Sequence, residues 1–214
     1  MLDALRDAIL NGDFQPGQPL IETELAAQLG TSRAPLREAL QILSTEGLVE
    51  IVPYHGATVR TLNRRDIEEL YSLRSLLETF AARRIIENEN AEAVPALRKV
   101  FEQMLAAAEV GDIKQVNRID RDFHDTLIVM SDHKLLDSTW NSVSLAVRYV
   151  MAQRNRRNSD IRQIAYNHLP IIEAIEQRDV AQVTGLLEEH IASSRDLLVE
   201  QWDTPKDGAK GEMP

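Results

Sequence analysis

Apolar residues recur at helical spacing on both sides of a short polar break within residues 25–48. The first and shorter helix would bury Leu25, Ala26 and Leu29. The apolar positions of the second helix are Leu36, Leu40, Leu43 and Leu48. Gly30 ends the first helix, because glycine tolerates a positive φ angle. The pattern predicts two amphipathic helices joined by a tight turn.

The residues after Gly30 suit the start of a helix that contacts DNA. Thr31 and Ser32 can cap this helix. Arg33 and Arg37 lie four positions apart, so they share one face of its N-terminal half. A helix-turn-helix directs the N-terminal side chains of its second helix toward the major groove in this way.

The flanking segments extend this motif on both sides. Residues 5–10 predict a preceding helix that ends at Asn11 and Gly12, and we interpret residues 16–20 as a turn into the motif. Residues 49–53 and 57–62 are rich in β-forming residues and are joined by a glycine turn. These two runs predict a β-hairpin wing.

Beyond residue 62 the pattern is helical throughout. We predict six helices, at residues 64–88, 92–109, 113–130, 134–155, 160–178 and 180–201. Asp112 and Ser159 are natural N-caps, and Pro170 inside the fifth helix should bend it. The fold class is therefore mostly α: a winged helix-turn-helix domain (1–62), an antiparallel all-α helical bundle (63–202) and a disordered tail (203–214).

Composition limits the class of protein. A hydrophobic content of 43% in 214 residues suffices for one large or two modest domains. The absence of cysteine excludes a disulfide framework and a thiolate metal site. No apolar run approaches the roughly 18–20 residues of a membrane span, and no signal-peptide pattern is present. We expect a cytoplasmic protein without a membrane partner.

The charge balance is unusual for a protein that contacts DNA. The net charge is −10, and residues 1–62 contain four Arg, no Lys and eight acidic residues. A nucleic-acid-binding module usually presents a basic surface. The attraction must therefore be local, from Arg33, Arg37, the helix dipole and Arg60 of the wing. We expect weak non-specific DNA binding that salt removes easily.

The order of these parts resembles the GntR superfamily of bacterial transcription regulators. The matching stretches are GDFQPGQPL (12–20), LAAQLGTSRAPLREAL (25–40), EGL (46–48) and HGATV (55–59). The resemblance implies a homodimer that binds an inverted-repeat operator in double-stranded DNA. The DNA-binding residues that we predict are Thr31, Ser32, Arg33, Arg37, His55 and Gly56, the last two as minor-groove contacts of the wing. The bundle resembles the effector domain of the FadR-type members, in the six-helix, VanR-like variant.

Four polar residues stand at positions that the helical pattern directs into the bundle: Asp120, His124, His168 and His190. Each alone could be a hydrogen-bonded core residue, and Asp120 and His124 could bond to each other. A buried carboxylate is costly unless it is paired or bound to a metal. Together they form an O/N ligand set for a divalent metal, and the resemblance adds that metal-binding effector domains carry D-x-x-x-H, H and H on the corresponding helices. We predict one divalent transition metal per chain (Zn, Ni, Mn or Fe), with zinc or nickel slightly favoured.

Such a site suggests a small anionic ligand. One carboxylate and three neutral imidazoles leave about +1 on a divalent ion and leave coordination positions open. Arg74 lies on the inward face of its helix and either forms an internal ion pair with Glu78 or grips an effector carboxylate. Arg148 is a second candidate for that grip. We predict a small organic acid as the effector.

The leading hypothesis is a homodimeric, ligand-responsive transcription regulator, and more specifically a repressor. A metal-dependent hydrolase-like enzyme is an alternative, since a metal with open positions can activate water. No separate general base is evident, however, and a DNA-reading module would be hard to explain in such an enzyme. A direct metal-ion sensor, or a purely structural metal, is the third possibility.

Overall fold

The N-terminal elements follow the predicted order of helix, helix-turn-helix and wing. The computed structural model describes residues 1–52, 56–155 and 160–199. Its first elements are α1 (Leu2–Leu10), β1 (Pro19–Leu20), α2 (Glu22–Gln28), α3 (Arg33–Thr45), β2 (Val49–Val52) and β3 (Gly56–Val59). The side chains of Leu36, Leu40 and Leu43 are buried, so α3 packs on the domain through the predicted apolar stripe.

The turn between α2 and α3 depends on Gly30, which has a φ angle of +61°. The amide of Gly30 donates to the carbonyl of Ala27, and the amide of Thr31 donates to that of Ala26. These are the two hydrogen bonds of a Schellman C-cap. Ser32 occupies the N-cap position of α3 but makes no side-chain capping hydrogen bond. Ser32 therefore lies at the predicted cap position, but the side-chain hydrogen bond expected of a cap is absent.

The wing belongs to a three-stranded antiparallel sheet with the strand order β1–β3–β2. Val52 lies opposite Gly56 in the hairpin, and Pro19 lies opposite Thr58 on the other side of β3. The interpretation of residues 16–20 as a turn alone was therefore wrong, because Pro19 and Leu20 form an edge strand. Proline suits such a strand, since it has no amide hydrogen to donate to a second neighbour.

The described residues after the wing form a helical bundle. Its helices are α4 (Arg64–Glu87), α5 (Ala93–Glu109), α6 (Ile113–Met130), α7 (Lys134–Asn155), α8 (Ile161–Tyr166), α9 (Leu169–Glu176) and α10 (Val180–Val199). The Asp112 side chain accepts the amide of Gln115 and caps α6 as predicted. Ser159 and residues 203–214 lie outside the described residues, and Asp160 caps α8. None of the described helices combines the length and the apolar character that crossing a bilayer requires.

The predicted fifth helix is two helices in the structure. α8 ends at Tyr166 and α9 begins at Leu169, so the prediction of six helices was wrong and the described bundle has seven. Pro170 does not bend a continuous helix but lies in the first turn of α9, where its missing amide costs nothing. In a continuous helix it would remove the bond to the carbonyl of Tyr166. The break places His168 at the N-cap of α9.

One apolar cluster joins the N-terminal domain to the bundle. It contains Leu36 and other core residues of the first domain, and also Tyr149 of α7 and Ile191 of α10. The Tyr149 hydroxyl donates to the carbonyl of Arg60 at 2.6 Å. Burial raises the pKa of Tyr149 to about 12, so the hydroxyl keeps the proton that it donates. The interior of the bundle is filled by a second cluster.

Candidate DNA interface and candidate metal centre

The start of α3 and the wing contribute to one exposed surface. The Arg33 and Arg37 side chains are 55% and 60% exposed. Arg33 and Gly56 line the same groove, which has a volume of about 340 Å³. Ser32 is exposed and Thr31 is half-buried beside them. The structure thus brings the predicted residues of the helix near Gly56 of the wing, whereas His55 lies outside the described residues.

A single carboxylate engages both arginines of this surface. Oε2 of Glu22 accepts from Nη2 of Arg33 at 3.0 Å and from Nε of Arg37 at 2.8 Å. Burial raises the pKa of the Glu22 carboxyl, but the hydrogen bonds from Arg33 and Arg37 outweigh it and lower the pKa overall. Glu22 was not predicted from the sequence, because it lies in another helix, 11 and 15 positions before the two arginines.

Three histidines meet in the interior of the bundle. His124 of α6, His168 at the start of α9 and His190 of α10 are buried, and one donor nitrogen from each lies within 4.8 Å of the others. The Nε2 atoms of His124 and His168 are 3.4 Å apart. Oδ1 of Asp120 lies 3.1 Å from Nε2 of His168. The fold therefore brings together the four residues that we predicted as a metal-binding set.

The hydrogen bonds of two rings set their tautomers. Nδ1 of His124 donates to Oε2 of Glu78 at 2.6 Å, and Nδ1 of His168 donates to the carbonyl of Ile164 at 2.8 Å. A neutral imidazole that donates from Nδ1 carries its lone pair on Nε2. The two lone-pair nitrogens are the ones that approach each other. Metal-binding histidines are commonly oriented by such bonds to carboxylates and carbonyls.

Arg74 and Glu78 of α4 lie beside the histidine cluster. Nε of Arg74 donates to Oε1 of Glu78 at 2.5 Å, so the predicted internal ion pair is present. Nη2 of Arg74 also approaches Nε2 of His124 at 2.8 Å. Both side chains are fully buried. Burial raises the pKa of Glu78, but the charge of Arg74 and the contact with His124 outweigh it and lower the pKa to about 2.

The electrostatic setting favours uncharged imidazoles. Burial lowers the pKa of His124. Burial also lowers the pKa of His190 well below its ordinary value, and the neighbouring His168, His124 and Arg74 lower it further. Rings with lowered pKa values are neutral at neutral pH. A neutral imidazole is the form that a metal ion requires of a histidine ligand.

Arg148, the second predicted effector residue, is engaged outside the histidine cluster. Its Nη2 donates to Oδ2 of Asp125 at 2.5 Å. Oδ1 of the same carboxylate accepts from Nε1 of Trp140 at 2.7 Å. Among the hydrogen bonds and ion pairs of the described residues, none joins Arg148 to the four-residue set. Its role in effector binding stays a prediction.

Comparison with known proteins matches both halves of the chain. Residues 2–59 match the family model described as bacterial regulatory proteins, gntR family, and residues 69–193 match the FCD domain. The gluconate operon transcriptional repressor of Bacillus subtilis (strain 168) is 30% identical over 212 residues, which cover 97% of this chain and 87% of the relative. The probable D-xylose utilization operon transcriptional repressor of Paenarthrobacter nicotinovorans is 34% identical over 187 residues, 86% of this chain and 81% of the relative.

A solved structure has the same architecture. E. coli McbR/YncC superposes with a TM-score of 0.77 at 24% sequence identity, covering 94% of this chain and 96% of that chain. At this level of identity the likeness concerns the fold. It confirms the predicted class, an N-terminal winged helix-turn-helix followed by an all-α bundle.

Proposed function

The chain belongs to the GntR family of bacterial regulatory proteins and carries an FCD domain, and from this premise we propose that it is a homodimeric repressor controlled by a small organic acid. It is a transcriptional regulator, as its relatives are, and not an enzyme. We place the domain boundary at residue 62, after the wing and before α4. A protein that binds an operator acts in the cytoplasm, where the DNA is.

The observation that carries the DNA-binding proposal is the exposure of Arg33 and Arg37 at the start of α3. Both side chains project from a helix whose apolar stripe is buried in the domain, so the opposite face is available to the major groove. Gly56 lies on the same groove as Arg33, which is the arrangement expected when the wing approaches the neighbouring minor groove. Thr31, Ser32 and His55 complete the proposed contact set.

The test is an Arg33→Ala substitution, measured by fluorescence anisotropy on duplexes that the unaltered protein selects from a random pool. Loss of one bidentate arginine–guanine contact costs about 1–3 kcal/mol, and two-fold symmetry applies this loss to both half-sites. We expect selective binding to disappear while circular dichroism is unchanged. The control is Arg98→Ala, which removes an exposed bundle arginine paired with Glu176. Equal binding by both variants would contradict the assignment of α3.

The metal part of the proposal is supported by the donor set and its geometry. Asp120, His124, His168 and His190 offer one carboxylate and three imidazoles from three helices, and the four donors are buried together. Nitrogen and oxygen donors of this kind suit a divalent transition metal, with zinc or nickel slightly favoured over manganese and iron. A bound ion would supply a Lewis-acidic anchor for an anion inside an apolar bundle.

The effector part rests on the position of Arg74 beside this set. The Arg74 guanidinium lies 2.8 Å from His124, and once an ion displaced it from that ring nitrogen it could donate two parallel hydrogen bonds to a carboxylate bound next to it. An apolar cluster fills much of the surrounding interior, and the positive charge of Arg74 and of the metal would favour an acid over a neutral compound. Arg148 is a weaker candidate, since its ion pair with Asp125 lies outside the four-residue set.

A thermal-shift screen of small organic acids, run on metal-loaded and metal-stripped protein, tests the effector proposal. Binding to the folded state alone raises the melting temperature by mass action. We expect acids to stabilise the loaded protein and to have little effect on the stripped protein. Equal stabilisation of both forms, or stabilisation by neutral compounds alone, would contradict it. If metal alone changes DNA affinity and no acid does, the protein is instead a direct metal-ion sensor.

Dimerisation is supported by an apolar face on α4. Leu73, Leu76 and Phe80 are spaced at helical intervals and are 37%, 68% and 41% exposed. An isologous two-fold contact would bury the same face of both copies. It would also present two copies of α3 to an inverted repeat, as helix-turn-helix dimers do.

A further inference from the structure

Every arginine of residues 1–62 faces a carboxylate. Arg33 and Arg37 share Glu22, Arg6 contacts Asp3 and Glu46, and Arg60 lies 3.8 Å from Asp66. The same segment contains no lysine. Before DNA binds, every arginine on the described surface of this domain that a phosphate could contact therefore already has an acidic partner.

Glu22 differs from the other carboxylates because it bridges the two arginines that we assign to base contacts. Its Oε1 and Oε2 both lie near Nε of Arg37, at 3.0 Å and 2.8 Å, and Oε2 also accepts from Nε and Nη2 of Arg33. The Glu22 side chain is 27% exposed, less than either arginine. The carboxylate thus lies beneath two more exposed guanidinium groups and neutralises part of their charge.

A bridging carboxylate affects the two modes of DNA binding differently. Non-specific binding comes from charge, through cations that replace counterions at phosphates. Specific binding comes from directed hydrogen bonds, such as a bidentate contact from arginine to guanine O6 and N7. A carboxylate that already pairs with the arginines weakens non-specific binding most, because a phosphate would only replace one negatively charged oxygen acceptor by another. A correctly placed guanine edge adds directional contacts that Glu22 does not replace.

We propose that Glu22 is a selectivity-determining residue of the DNA-binding domain, which holds Arg33 and Arg37 in competition with phosphate and so suppresses binding to unselected sequences. This inference rests on the proposed role of the two arginines. When α3 binds its operator, the arginines exchange the carboxylate for base edges. On other sequences they stay with Glu22, and the acidic charge of the domain disfavours the complex.

The test compares Glu22→Gln with the unaltered full-length protein on two duplexes of about three helical turns. One duplex is selected by the unaltered protein from a random pool, and the other is an unselected member of that pool. Affinities are measured by anisotropy over a series of KCl concentrations. Glu24→Gln is the matched control, because Glu24 is exposed on the same helix and, within the described residues, makes no ion pair with Arg33 or Arg37.

We expect Glu22→Gln to bind the unselected duplex at least about tenfold more tightly at low salt. The slope of log affinity against log salt should steepen by about 0.9 for each arginine that gains a phosphate. Affinity for the selected duplex should be retained, so the ratio of the two affinities falls. Glu24→Gln should leave that ratio close to its original value.

Three results would overturn the inference. The first is an equal change of the affinity ratio in Glu22→Gln and Glu24→Gln, which would mean that the change comes from net charge alone. The second is a loss of affinity for the selected duplex in Glu22→Gln, which would make Glu22 a support for the arginines in the bound state. In both cases Arg33→Ala would still abolish selective binding, so the proposed function would stand. The third is a failure of the unaltered protein to select any sequence, which would overturn the inference and the proposed function together.

Discussion

Nη2 of Arg74 lies 2.8 Å from Nε2 of His124, the ring atom that carries the lone pair. The opposite nitrogen of this ring is bound to Glu78, and Glu78 is in turn bound to Arg74. The three side chains therefore form a closed, buried triad on one side of the histidine cluster. The arginine and a metal ion would use the same lone pair of His124, so binding of the ion would require Arg74 to move.

The ion pair within this triad predicts how substitutions of Arg74 and Glu78 change the free energy of unfolding of metal-stripped protein. Arg74→Met leaves the Glu78 carboxylate buried without its cation, and the loss of one partner of a buried pair costs about 3–5 kcal/mol. Arg74→Met combined with Glu78→Leu removes both charges and should recover most of that loss. Urea unfolding of the two single variants and the double variant, with a chelator present, measures the coupling. Simple additivity of the single effects would contradict a direct interaction.

The bond from His124 to Glu78 predicts an effect on metal affinity. Glu78→Gln keeps the shape of the side chain but removes the carboxylate that orients the ring, and such changes typically weaken metal binding about 10–100-fold. Competition with a chromophoric chelator gives the dissociation constant. Glu69→Gln is the control, because Glu69 is an exposed carboxylate on the same helix that pairs with Arg65. The expectation fails if both variants bind the metal equally well.

The histidine cluster predicts the stoichiometry of the metal. Protein purified without chelator should contain about one divalent ion per chain, and His168→Ala/His190→Ala should contain none. Chelation should lower the melting temperature of the unaltered protein but not that of the double variant, because only the former loses a ligand of the folded state. His133→Ala is the control, since His133 lies against Phe80 at the start of α7. Elemental analysis without metal in any of the three proteins would refute the site.

The apolar face of α4 predicts the effect of a charge on assembly. Leu76→Arg would place like charges opposite each other across a two-fold interface, and such contacts cost several kcal/mol. The dimer dissociation constant should rise at least about 100-fold by sedimentation, and binding to an inverted repeat should weaken with it. Val110→Arg adds the same charge at a position that is 80% exposed at the end of α5. If neither variant changes the association state, the dimer uses another surface.

Much of the fold follows from short-range patterns in the sequence. The leucine spacing of α3 and the positive φ angle of Gly30 are local properties, and they suffice to predict the helix-turn-helix. The inward direction of Asp120 and His124 follows from helical periodicity for the same reason. The break before α9 was missed, because the apolar spacing continues through it and the effect of Pro170 depends on whether it lies in a first turn or an interior turn.

The candidate sites depend more on contacts that periodicity does not encode. Glu22 reaches Arg33 from another helix, and Glu78 reaches His124 across 46 positions of the chain. Such contacts arise only when helices are packed in a particular order and rotation. The pairing of Arg74 with Glu78 was predictable because it joins adjacent turns of one helix. The hydrogen bond between the second oxygen of Glu78 and His124 was not predictable in this way, because it joins two helices. The inward direction of His168 and His190 was also predicted from helical spacing, and the resemblance added weight to their convergence with Asp120 and His124.

His190 and Ile191 are consecutive residues of α10 that face different neighbours, the first in the histidine cluster and the second in the apolar cluster shared with the DNA-binding domain. No loop separates them, so a rigid movement of α10 displaces both side chains together. A rotation that draws one side chain toward a ligand turns the other in the same sense. One residue inserted between them would rotate the two faces apart by about 100°. In a repressor of the kind proposed above, DNA binding would then no longer follow the state of the effector site.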